Sequence, residues 1–90
     1  MKPEEILRLI IQLIPTAKLD LSREYGFIHK QASVEINGVK GLLIWDYILW
    51  NEITFQDMEQ KHIISLFTGF NDRDTEERWN ELVEEYGIKK

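Results

Sequence analysis

The sequence predicts a single α+β domain over residues 1–90. It comprises an N-terminal helix, an antiparallel meander of two or three strands turning at Asn37-Gly38, and two C-terminal helices. Three observations carry this reading. Apolar residues crowd positions 6–14 ahead of Pro15, alternating segments flank an Asn-Gly pair, and apolar residues recur at helical spacing after residue 71.

The first helix starts at Pro3, whose fixed φ suits a first turn, and Glu4 and Glu5 meet the positive end of the helix dipole. Seven of the nine residues from Ile6 to Ile14 are apolar, more than one face needs, so the helix is expected to be deeply buried or shared with a partner. Pro15 ends it. Ala17, Leu19 and Leu21 then alternate with polar residues as a short strand would, and Arg23-Glu24-Tyr25-Gly26 reads as a turn.

Residues 27–36 and 39–49 form the expected hairpin. Asn37-Gly38 matches a two-residue turn with positive φ at both positions, which places Ile36 opposite Val39, Glu35 opposite Lys40 and Val34 opposite Gly41. One face then collects Ile28, Ala32, Val34, Ile36, Val39, Leu43, Trp45 and Tyr47, with Lys30 opposite Trp45. The other face is polar along the first strand, at His29, Gln31, Ser33 and Glu35. Along the second strand it carries the apolar stripe Leu42, Ile44, Ile48 and Trp50.

A second helix is expected from Thr54 as N-cap with Asp57 three residues on. It carries Phe55, Met58, His62, Ile63, Leu66 and Phe67 on one stripe and stops at Gly69. A third follows Asn71-Asp72-Arg73-Asp74, with Trp79, Leu82, Val83 and Tyr86 at i, i+3, i+4 and i+7. Gly87 is expected as a left-handed cap, with Ile88 folded back on Val83.

Composition limits the function. There is no cysteine, which excludes disulfides, thiolate–zinc sites and a cysteine nucleophile. The net charge is −5, and residues 51–90 carry all of it, with ten acidic against five basic side chains. That disfavours direct nucleic-acid binding, which needs a basic footprint. The N-terminal apolar run is interrupted by Arg8 and Gln12 and preceded by acids, unlike a signal peptide. It is also too short to span a bilayer, so a cytoplasmic protein with no membrane association is expected.

Four patterns bear on chemistry. His29 and Asp46 are cross-strand neighbours in the expected register, an arrangement that can orient a general base but that here lacks a nucleophile within reach. Glu59 and His62 have the Glu-x-x-His spacing of carboxylate-bridged metal sites, which need it twice; it occurs once, so His62 is expected to be a packing residue. Asp72-x-Asp74-x-Glu76 resembles the start of a calcium loop without its glycine or closing glutamate, and capping accounts for these acids instead. No glycine-rich loop follows a strand, so no phosphate or other cofactor is expected.

The expectation is a non-enzymatic interaction module: an adaptor, accessory subunit or inhibitor, of the small free-standing kind that phages and mobile elements encode. Another protein is the expected partner, met through Leu42, Ile44, Ile48 and Trp50 or through Glu77, Glu81 and Glu84 of the acidic third helix. The uncovered stripe and the over-apolar first helix also predict a homodimer. Alternatives are an acidic inhibitor of a nuclease or other nucleic-acid enzyme, and a small enzyme using His29 and Asp46.

Overall fold

The structure is a computed structural model, and it describes residues 5, 8–10, 12, 14, 17–19, 29–48, 50–57 and 62–88. Its frame is an antiparallel sheet of β1 (Lys18–Leu19), β2 (Lys30–Ile36), β3 (Val39–Asp46), β4 (Glu52–Asp57) and β5 (Ile63–Thr68), followed by one C-terminal helix, Asp72–Tyr86. Spatial order is β1-β5-β4-β3-β2, so β2 to β5 form a meander and β1 closes on β5. Residues 5, 8–10 and 12 are helical, and the Ile14 N–H donates to the Ile10 carbonyl at 2.9 Å.

The β2–β3 hairpin forms as its turn dictates. Asn37 and Gly38 have φ of 51° and 81°, the left-handed pair of a turn whose twist matches the flanking strands. The register runs from Ile36–Val39 through Val34–Gly41 to Lys30–Trp45. The strands are shorter than the expected 27–36 and 39–49, and Phe27 and Ile28 lie outside the described residues. β1 falls within the stretch expected as a short strand. Pro3, Pro15, Leu21, the 23–26 turn, Met58 and Glu59 also lie outside the described residues.

The expected second helix is corrected. Residues 52–57 and 63–68 are two strands, so two C-terminal helices become one, behind a four-strand meander. The pairing of β4 with β5 shifts between Ile53–Phe67 and Thr54–Ser65, leaving Leu66 as an extra residue on β5. This bulge turns Leu66 and Phe67 toward the same core, Leu66 fully buried and Phe67 partly so. Two consecutive inward residues cannot come from a regular strand, but a helical stripe has them at i+3 and i+4. The β-branched and aromatic content of Ile53, Thr54, Phe55, Ile63 and Ile64 favours the strand.

The core lies on one face of the sheet. Val34, Ile36, Leu43, Trp45, Ile53, Phe55, Ile64 and Leu66 meet Ile10 and Ile14 from the N-terminal helical piece and Trp79 and Leu82 from the C-terminal helix. Each large side chain so buried contributes about 1.5–3 kcal/mol. Of the expected apolar stripe, Leu42 and Ile44 lie on β3, an inner strand flanked by β2 and β4, and Ile48 and Trp50 lie beyond its end. On its second face Ile44 is 1% exposed and stands beside Thr54 of β4, which is also buried.

Asn71 caps the helix, its side chain accepting from the Asp74 N–H at 2.9 Å. At the other end Gly87 has φ −59° and ψ 137°, not the left-handed geometry expected. The chain leaves the helix extended, and Ile88 donates its N–H to the Ser33 carbonyl at 3.0 Å instead of folding back on Val83. The Gly87 N–H still closes the last turn on the Val83 carbonyl at 2.8 Å, and the strand edge takes the next donor. Among the described residues, no helix is long and apolar enough to cross a membrane.

Candidate functional site

The β3–β4 connection and the β5–helix connection meet at one end of the sheet. Asp46 Oδ1 accepts the Ile48 N–H at 3.1 Å, an Asx-type turn that starts the loop. Asn51 ends it at φ 44°, a conformation asparagine tolerates, and its side chain accepts from Trp45 Nε1 at 3.0 Å. The Gly69 N–H donates to the Asn51 carbonyl at 3.1 Å, which brings the two connections that carry Phe70 and Trp50 to the same end of the sheet. The loop is thus held from below, and its large side chains point out. Ile48 is 67% exposed, Trp50 49% and Phe70 fully exposed.

Beneath this tip, Asp46 and Glu52 face each other across β3 and β4, both buried. The Thr68 hydroxyl donates to Glu52 Oε2 at 3.0 Å. Beside the tip, Phe67 and Phe70 from the β5 end and Asp74, Glu77, Arg78 and Glu81 from the helix line a groove of about 410 Å³. Its cation is already engaged, since Arg78 Nη1 lies 2.9 Å from Glu81 Oε2. An apolar floor with an acidic wall suits an apolar side chain flanked by cations.

On the core face at the same end, Trp45 and Tyr47 stack with centroids 3.9 Å apart, His29 lies 3.7 Å from Tyr47, and Lys30 sits 5.4 Å over Trp45. Burial first, then the charges of Glu76 and Asp72, push the Tyr47 hydroxyl above its ordinary value. The paired register stops one step short of the expected His29–Asp46 neighbours. The ladder ends at Lys30–Trp45, the His29 N–H bonds the Trp45 carbonyl, and the His29 ring turns onto Tyr47.

A different histidine pair does form. His62 Nδ1 lies 3.2 Å from Asp57 Oδ2, the His62 N–H donates to Asp57 Oδ1 at 3.3 Å, and both side chains are almost buried. Sequence reasoning missed it because it placed both residues on a helix. The signal was available: a five-residue separation across the mouth of a hairpin. An imidazole oriented by a carboxylate can serve as a base, but the described serines, Ser33 and Ser65, stand on the opposite sheet face. The pair reads as a latch closing the β4–β5 hairpin. Among the described residues, no group of three or more acidic or histidine side chains is placed to hold a metal ion.

The partner-binding residues expected from sequence fall into three groups. Ile48 and Trp50 stand exposed at the tip. Leu42 is half-buried and Ile44 buried within the chain's own sheet. Glu77, Glu81 and Glu84 are exposed on the helix, and the first two line the groove while Glu84 does not. Phe70, the most exposed large apolar side chain among the described residues, carried no pattern in the sequence. No protein-family model, curated protein or solved structure matches the chain.

Proposed function

We propose that this chain is a small protein-interaction module whose docking surface is the tip at Ile48, Trp50 and Phe70 together with the adjoining acidic groove. The partner presents an apolar side chain flanked by lysine or arginine. The observation that carries this reading is the grouping of exposed apolar side chains. Three of the five exposed large hydrophobic residues described in the chain lie on the two connections that meet at this end, and one of them, Phe70, lines the groove with Asp74, Glu77 and Glu81. Scattered exposed apolar residues are ordinary, whereas a grouped set rimmed by charge marks a recognition surface.

The test is fluorescence anisotropy with a panel of labelled peptides in which a tryptophan or leucine is flanked by basic residues, with scrambled acidic peptides as controls. Binding is expected to fall at least tenfold in Phe70→Ala and in Glu77→Lys/Glu81→Lys, and to weaken with salt. Equal affinity of wild type and both variants for every basic peptide would sink the reading.

A second reading, an acidic inhibitor of a nucleic-acid enzyme, is favoured by one feature. The last turn of the C-terminal helix holds Glu84 and Glu85 and no basic residue, opposite to what the negative end of the helix dipole prefers. Acids kept where they cost stability suit a surface selected for charge.

A further inference from the structure

We propose that the outer edge of β2 is a self-association surface, held shut by the Gly87–Ile88 strap, to which a second copy of this chain adds its own β2. This goes beyond the docking tip, which lies at a different part of the sheet. β2 pairs with β3 along one side, and among the described residues its other side is met by one bridge, Val34–Gly87, with the Ile88 N–H on the Ser33 carbonyl at 3.0 Å. The hairpin turn makes the even-numbered residues of β2 the ones bonded to β3. Gln31, Ser33 and Glu35 therefore aim their backbone groups outward, and all three are exposed. Such an edge is a template for another strand unless something covers it.

The strap is a weak cover. Ile88 is 45% exposed, and a hollow of about 530 Å³, bordered by Glu35, Gly38, Tyr86 and Ile88, lies alongside for it to swing into. The occupant is chosen by complementarity. An antiparallel β2–β2 pairing centred on Ser33 sets Ser33 against its own copy and Gln31 against the second copy's Glu35. On the opposite face it sets Ala32 against Val34 and Lys30 against Ile36. No like charges meet, and a closed twofold pair results. That pairing satisfies the outward groups of Gln31, Ser33 and Glu35 together, where the strap reaches Ser33 and, through the Val34–Gly87 bridge, Glu35, but not Gln31.

The experiment is sedimentation velocity across a concentration series into the hundreds of micromolar, with circular dichroism as the check on folding. Ile88→Pro removes the strap's donor, and Gly87 already has the extended ψ that a following proline requires. The variant should dimerise with at least tenfold lower Kd than wild type. Adding Ser33→Pro, which deletes an outward N–H and no bond to β3, should return it to monomer. A folded Ile88→Pro protein that stays as monomeric as wild type overturns the proposal, as does a dimer that survives Ser33→Pro. Should Ile88→Pro not fold, Ser33→Cys/Ile88→Cys decides, because the natural chain has no cysteine. The reduced form must associate more than the disulfide-locked form, and equal association overturns the proposal.

Discussion

Gly41 sits where β3 passes the Phe55 ring, and a methyl group there would strike the Gln56 carbonyl oxygen and come within 2.7–2.8 Å of the ring. Gly41→Ala should therefore cost roughly 1–3 kcal/mol through overpacking, measured as a lowered urea midpoint; an unchanged midpoint would mean that both the ring and the β4 backbone at Gln56 have room to move. Tyr47 makes a second prediction at this scale. Its phenol is raised in the fold, so its contribution to stability is complete below the unfolded value near 10 and is lost as pH climbs through the folded value. Stability should fall above about pH 10, and Tyr47→Phe should shed part of that fall in denaturation curves taken from pH 9 to 11. The legibility of single residues followed their local rules. Asn37-Gly38 and the start of the C-terminal helix were readable because turn and cap chemistry is local, although the capping expected of Asp72 and Asp74 falls to Asn71. Phe70, Asp57 and His62 were not, because their meaning depends on which strands the chain had formed around them.

The same divide runs through the elements. A hairpin whose turn fixes its register was readable residue by residue, down to Lys30 opposite Trp45. The β4–β5 hairpin was not, because the extra residue Leu66 breaks the alternation that identifies a strand. The docking tip inherits that difficulty, since the connections carrying Trp50 and Phe70 meet only once β4 and β5 are paired. For the C-terminal helix the expected outcome of Glu84→Lys/Glu85→Lys is a gain in stability. Each reversal replaces an acid by a base at the negative end of the dipole, worth about 0.3–1 kcal/mol. Thermal unfolding checks the gain. A loss would mean that these acids hold contacts which outweigh the dipole.

At the scale of the whole molecule, β3 and β4 have a strand on each side and the core against one face, while β1 is two residues long and β2 is bordered by the strap. Native-state hydrogen exchange should show the slowest amides in β3 and β4 and the fastest strand amides in β1; comparable protection in β1 would contradict this ordering. The sheet order has a further consequence for a chain made from its N-terminus. Ile10, Ile14 and Ala17 leave the ribosome early, yet β1 pairs with β5, some 45 residues downstream (Lys18 with Ser65). The β2–β3 hairpin can close as soon as it emerges, because its partners are neighbours. The segment from Ile10 to Leu19 has no such neighbour and must wait, apolar side chains exposed, for the last strand of the sheet. During synthesis the N-terminal segment is thus the stretch most open to a holding chaperone or to mispairing with another nascent chain.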